Sequence, residues 1–218
     1  MARLLDRRGR PITGQMPGLV EAIVIDNVDP SGLGRVKVRF PTLPETPESK
    51  WARLNMPMAG RDRGWMTIPE IGDEVLVSFM HGDFHHAVVV GSLYNGVDRP
   101  PYANEDGENN LRVFQSRSGH RVTFDDTQGG ERIELVTHNQ AIRVVWDAAG
   151  RVLSVFCDGD IQIEATEHID IQTSTFSLSA AESVSIEAGK SIVMKASDVV
   201  GAVAGGQIKM QAPDVLIN

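Results

Sequence analysis

The stretch IQIEATEHIDI (residues 161–171) decides the fold of this chain, because it begins a repeat that continues to the last residues. An apolar residue, an arbitrary residue and a second apolar residue recur every seven or eight positions. A unit of this length forms one short strand and one tight turn, which is too small to cover its own apolar face. The repeat therefore predicts a tract that is stable only when other strands stack against it.

Within each triplet the first and third side chains share one face, and the middle residue, which is usually polar, lies on the other. Winding several chains around one axis would bury the apolar row and close the open strand edges. With three chains, residues 158–218 would form an intertwined triangular β-helix, or β-prism needle. Its predicted trimer core comprises Ile161, Ile163, Ile169, Ile171, Phe176, Leu178, Val184, Ile186, Ile192, Met194, Ile208, Met210, Val215 and Ile217. A single-chain parallel β-helix with three units per coil is the alternative.

The composition also predicts an all-β protein. The 218 residues include 21 Gly and 11 Pro, and few apolar residues follow a helical spacing. A net charge of −8 would repel a phosphate backbone, which argues against nucleic acid as a partner. The basic N-terminal residues precede no apolar segment, so we expect synthesis in the cytoplasm without a signal peptide. The single Cys157 is interpreted as a small buried hydrophobe.

Ahead of the repeat, two further β-rich zones are predicted. After an N-terminal arm (1–14), residues 15–97 indicate an OB-fold barrel, since five or six strands in fewer than 90 residues are typical of that fold. A polar linker (98–110) leads to a β-rich neck (111–157). The predicted barrel strands are 18–28, 35–40, 50–58, 65–68, 74–80 and 87–94. The predicted neck strands are 112–117, 121–125, 132–136, 142–146 and 152–156.

Several segments of these zones resemble one known family. They are NVDPSGLGRVKVRFP (27–41), IPEIGDEVLV (68–77) and VGSLYNG (90–96) in the barrel, and SRSGHRVTFDDT (116–127) where the neck opens. The barrel segments are similar to the barrel domain of VgrG-type and phage baseplate assembly protein V spikes. The neck segment is similar to the element that opens their β-helical part.

The resemblance implies a homotrimeric central spike of a contractile phage tail or a related injection system. Such a spike is assembled into a baseplate and acts outside the cell, where sheath contraction drives it through a target envelope. VgrG proteins carry a large hub region before the barrel, so we expect a separate baseplate hub protein as a partner of the barrel here. No metal-binding His-x-His motif ends the sequence. We therefore expect a blunt end capped by a PAAR-type tip protein that contacts Leu216, Ile217 and Asn218.

Two segments contain residue types that carry chemistry elsewhere. HGDFHH (81–86) groups three His and one Asp, but it lies between two strong strands, where a polar hairpin loop belongs. His120, Asp125 and Ser118 are triad residue types without a nucleophile elbow. The linker is also too short to hold an inserted enzyme. We therefore predict no enzyme activity, no catalytic, cofactor-binding or metal-binding residue, and no cofactor.

Three other interpretations stay open at this point. Arg53, Arg61 and Arg63 suggest a nucleic-acid face, but the aromatic side chains that would stack on bases are nearly absent, and contact with the hub or a second copy is more economical. A trimeric cell-surface fibre that binds a receptor or polysaccharide through the barrel is the functional alternative. A zinc hydrolase built on residues 81–86 is the third.

Overall fold

The computed structural model describes Met16 and residues 18–211, and the chain divides into two units after Ile161. Among the described residues the regular elements are twelve strands and one 3₁₀ turn at Met80–Gly82. The all-β prediction is confirmed. The strands are β1 Leu19–Asp26, β2 Lys37–Arg39, β3 Arg53–Leu54, β4 Ala59–Gly60, β5 Arg63–Gly64, β6 Glu74–Phe79, β7 Ala87–Ser92, β8 Leu111–Gln115, β9 Arg121–Asp125, β10 Arg132–Val136, β11 Ile142–Asp147 and β12 Val152–Cys157.

The first sheet has the strand order β2-β1-β6-β7-β3 and curls back on itself. All neighbouring strands are antiparallel except β3 and β7, which are parallel. The ring is closed just before β3, where Val36 and Ala52 exchange both backbone hydrogen bonds at 3.0 and 2.7 Å. Five strands closed in this way make the small barrel that the sequence predicted.

Alternation along the strands fills the barrel. In β6 every second residue is buried, and the fully buried side chains include Val24, Val38 and Val77. Phe40 is also fully buried, and its ring lies 5.6 Å from that of Phe79. This alternation places one side of each strand in the core and leaves the other in water, as the pleat requires.

Two strand predictions in the barrel are wrong. Residues 65–68 form no strand. Within the predicted strand 50–58, only the two residues of β3 are in strand conformation. Instead, β4 and β5 form a short hairpin, which Trp65 extends by donating its backbone N–H to the Met58 carbonyl at 2.9 Å. Trp65 is half exposed and packs edge-on against Phe114 with ring centroids 6.2 Å apart. Trp65 thus contacts the second sheet while Ile68 packs against the barrel core, and a strand pattern cannot distinguish these two uses of an apolar residue.

The second sheet is an antiparallel meander of β8 to β12 in chain order. Its five strands coincide with the segments that alternation predicted, within one residue at either end except for β8, which ends at Gln115 and not at residue 117. Short turns join them, including Asp147 to Gly150, where the Gly150 N–H donates to the Asp147 carboxylate at 2.7 Å. Successive hairpins of this kind give every strand a neighbour but leave β8 and β12 as open edges.

In the second unit the described residues form no strand, so a β-prism is not observed in the single chain. The chain is extended and bends at residues 166–167, 174, 181–182, 189–190, 197–198 and 205–206. The bends recur every seven or eight residues, which is the period of the apolar triplets. Every residue from 162 to 211 is exposed. The single chain therefore shows the predicted unit of one extended segment and one bend. Residues 162–211 have no neighbouring strands to pair with.

Candidate functional site

The two faces of the second sheet differ in chemistry. Directly opposed residues of an antiparallel pair share a face, so the register of Phe114, Val122, Leu135, Val144 and Val155 places all five on one side. We call this side the apolar face. It consists of Phe114, Val122, Phe124, Ile133, Leu135, Ile142, Val144, Trp146, Leu153 and Val155, with Arg112 and Cys157 at its margins. Its large side chains are 39% to 61% exposed, apart from the half-buried Val122 and Val144.

The opposite face carries an ordered polar network. Asp125 is almost fully buried, accepts a hydrogen bond from the hydroxyl of Thr127 at 2.6 Å and forms an ion pair with Arg132 at 3.1 Å. These partners, Thr127 first, hold the pKa of Asp125 below its usual value against the opposing effect of burial. Arg132 also contacts Glu134 at 3.0 Å. This face therefore combines paired charges with scattered apolar residues, whereas the apolar face carries a continuous row of large apolar side chains.

The predicted needle core presents a second unpartnered apolar surface. From Ile161 to Met210, its members are 52% to 75% exposed in the single chain. The polar middle residues, such as Asp170 and Ser185, alternate with them. Val215, Leu216, Ile217 and Asn218 lie outside the described residues. The core and tip assignments therefore stay predictions.

Cys157 corrects a smaller expectation, since it is half-buried rather than buried. It ends β12, the edge strand of the second sheet, and lies at the margin of the apolar face. Its thiol donates to the Asp160 carbonyl at 3.4 Å. An edge position has a neighbouring strand on one side only, which limits how far a single chain can bury it.

The turn between β1 and β2 is held by a carboxylate clamp. Asp29, whose side chain is 2% exposed, accepts the backbone N–H groups of Ser31, Leu33 and Arg35 and both arms of the Arg35 guanidinium at 2.7 and 2.8 Å. The guanidinium first, then the N–H groups, keep the pKa of Asp29 well below its usual range. Gly32 adopts φ 64°, a left-handed conformation that glycine tolerates. Gly34 has a similar φ of 65°, so both glycines serve this turn.

The structure does not assemble the chemical sites that were weighed and set aside. HGDFHH joins β6 to β7 as the predicted loop, and within it His86 Nδ1 lies 2.8 Å from an oxygen of Asp83. His120 packs against His138, with ring centroids 5.4 Å apart, while Asp125 is bound to Thr127 and Arg132. Among residues 16 and 18–211, no three His, Cys, Asp or Glu side chains come together as metal ligands.

The barrel carries a basic groove that the sequence alone did not reveal. The groove has a volume of about 870 Å³ and lies over β2 and the segment leading into β3. It is lined by Leu33, Arg35, Lys37, Ser49, Lys50, Trp51, Arg53, His85, His86 and Ala87. Of the three arginines considered together earlier, Arg53 lines the groove, while Arg61 and Arg63 belong to the β4–β5 hairpin region. In the sequence, the sign of this groove is the run KWAR (50–53), which carries two cations and Trp51. Lys37 comes close to this run only because the barrel closes between Val36 and Ala52.

Comparison with known proteins finds a family that the barrel resembles. Residues 20–94 match the family model of the type VI secretion system/phage-baseplate injector OB domain. The barrel is similar to that injector OB domain. The match spans β1 to β7 and therefore includes the turn clamp and the basic groove. The predicted resemblance to phage baseplate and VgrG-type spikes is confirmed.

Curated relatives extend this similarity. The type VI secretion system spike protein VgrG3 of Vibrio cholerae is 32% identical over 136 residues, which cover 59% of this chain and 12% of that protein. The spike protein VgrG2a of Pseudomonas aeruginosa is 43% identical over 102 residues, or 43% of this chain and 12% of that protein. The actin cross-linking toxin VgrG1 of Vibrio cholerae is 27% identical over 161 residues, covering 62% and 14% respectively. The chain thus spans only a small part of each relative. Its described residues contain no helix long and apolar enough to cross a membrane.

Proposed function

We propose that this chain is the subunit of a homotrimeric central spike in a contractile phage tail or related injection system. Its role is structural, and it has no enzyme activity and needs no cofactor. The observation that carries this proposal is the apolar face of the second sheet, together with the exposed apolar row of residues 161–210. Both follow an injector OB domain in the chain. A folded monomer rarely leaves apolar surfaces of this extent in water.

Burial of the apolar row would supply the energy of assembly. Twelve side chains of the predicted core lie between Ile161 and Met210, and full burial of one such side chain stabilises by about 1.5–3 kcal/mol. The bends of the tract divide it into extended segments of about six residues. Three copies would give each extended segment a neighbour on both sides, so that backbone groups and apolar side chains are satisfied together.

The same arrangement gives the spike its mechanical property. A dry core packed at crystalline density inside a hydrogen-bonded ladder resists bending, because bending must shear both together. We propose that the rod bridges a baseplate hub protein, bound at the barrel, to a PAAR-type tip protein at the end that includes Leu216, Ile217 and Asn218. Sheath contraction would then drive it through the target envelope, outside the cell in which it was made.

The mass of the purified protein in solution tests the proposal. Light scattering coupled to gel filtration is expected to give three times the chain mass of 23.8 kDa, independent of dilution into the nanomolar range. A folded monomer, or a stable dimer, would contradict the trimeric spike. A thin rod extending from a wider head in negative-stain images is the second expected result, and a compact particle of trimer mass would exclude the needle.

Tip binding is tested separately. A PAAR-type protein from the same source is expected to copurify with the full chain and to be lost when residues 216–218 are deleted. Replacement of Arg10 by Gln, far away in the sequence, serves as the control and should retain the tip protein. Retention of the tip by the deletion variant would remove the proposed contact while leaving the trimer proposal intact.

A further inference from the structure

We propose that the basic groove of the barrel binds anionic oligosaccharides, meaning sugar chains that carry carboxylate or phosphate groups. The groove lies on β2 and the start of β3 and is flanked by the β1–β2 turn and the loop before β7. Its volume of about 870 Å³ lies within the range that small-molecule binding sites span. The inference concerns the barrel alone and does not depend on the oligomeric state.

The groove concentrates positive charge on a protein whose net charge is negative. The whole chain has a net charge of −8, yet Lys37, Lys50 and Arg53 line one groove. Within the described part of the chain none of these three side chains lies within ion-pair distance of a carboxylate. The nearby acids are engaged elsewhere, since Asp29 is bound by Arg35 and Asp83 by His86. Three cations that have no ion-pair partner among residues 16 and 18–211 favour a ligand with several negative charges.

Trp51 adds an aromatic surface among these cations. The Lys37 ammonium lies over its ring, 4.9 Å from the centroid. Trp51 is half-buried, so its ring is held by the barrel while part of it reaches the groove. The apolar C–H face of a sugar ring can pack against an indole, while the cations bind the acidic substituents. The groove thus offers one aromatic platform with charges around it.

Two other polyanions fit this geometry less well. An acidic peptide that adds a strand needs a free backbone edge, but here Val36 bonds to Ala52, and Val38 accepts from the Ser49 N–H at 2.8 Å. Single-stranded nucleic acid is held by successive bases stacked on several aromatic side chains, whereas Trp51 is the one Trp, Tyr or Phe in the groove lining. Anionic sugar chains need neither feature.

Titration of the full chain with tetragalacturonate, which carries four carboxylates, tests the proposal by isothermal calorimetry and tryptophan fluorescence. Saturable binding is expected, weakened at least tenfold by raising the salt from 50 to 500 mM. The neutral tetrasaccharide cellotetraose should bind at least tenfold more weakly. The double variant Lys50→Gln/Arg53→Gln is expected to lose at least tenfold in affinity; both side chains are exposed, so the fold should be unchanged.

The matched control is Arg61→Gln/Arg63→Gln, which removes two exposed cations of the same barrel outside the groove lining. It should bind tetragalacturonate within twofold of the parent chain. No saturable binding, equal binding of cellotetraose, or an equal loss in the control would overturn the proposal. Tighter binding of a twelve-residue oligothymidylate or of an oligoglutamate peptide would also overturn it and assign the groove to nucleic acid or to an acidic protein segment.

Discussion

The barrel and the repeat tract are built from the same kinds of residue, but they bury them in different ways. In the barrel, Val38 and Val77 are fully buried by strands of their own chain, because the sheet closes on itself. In the tract, residues such as Ile186 remain 68% exposed, although they alternate with polar neighbours just as regularly. Alternation therefore predicts which side of a strand is apolar. Whether a single chain can bury that apolar side depends on the number of residues between successive turns.

The largest effect is expected in the repeat tract, where one substitution tests whether the tract needs other chains. Replacing Ile186 by Asp introduces a charge into the predicted trimer core, so we expect loss of the trimer in light scattering. Replacing its neighbour Ser185 by Asp adds the same charge on the polar side and should leave the mass unchanged. Equal behaviour of the two variants would contradict the assignment of Ile186 to a buried row.

In the barrel we expect the opposite result, namely a loss of stability without a change in oligomeric state. Replacing Phe40 by Ala leaves a cavity beside Phe79 and Phe84 and should destabilise the barrel by about 3–5 kcal/mol. Hydrogen exchange of β1 and β6 amides would measure this loss, while the mass in solution should not change. The exposed Leu33→Ala, on the turn between β1 and β2, is the control. Dissociation caused by Phe40→Ala would mean that barrel and assembly are coupled.

An intermediate effect is expected at the apolar face of the second sheet. Leu153 is 61% exposed on that face, and replacing it by Asp should weaken the trimer by about 1–3 kcal/mol per chain. Ser154→Asp, the next residue of β12, points to the other face and serves as the control. Dilution series by mass photometry would compare the two. An unchanged dissociation midpoint for Leu153→Asp would exclude this face from the interface.

The smallest effect concerns the turn clamp and its pH dependence. The pKa of Asp29 is lowered in the folded state, so its contribution to stability is fully present above the ordinary carboxyl pKa of about 4 and is lost as the pH falls below it. We expect Asp29→Asn to lower the melting temperature at pH 7, with a difference from the parent that shrinks between pH 4 and pH 2. Calorimetric scans across this range measure it. A difference that grows on acidification would contradict the clamp.

Much of the architecture follows from local patterns. Alternation located β6, β7 and all five strands of the second sheet, since each keeps one apolar side over at least five residues. It failed at residues 65–68, where Trp65 contacts Phe114 instead of the barrel core. It also missed the basic groove, because Lys37 and Lys50 are separated in sequence and meet only through the bond pattern around Val36 and Ala52.

The sequence by itself determined the all-β class, the period of the tract and the family signature of the barrel, because spacing and turn residues act over a few neighbours. The tertiary structure decided which cations face Trp51, and which face of the second sheet stays apolar and uncovered. Those properties depend on strand register and on closure of the barrel. Both come from hydrogen bonds between residues far apart in the chain, which no local pattern encodes.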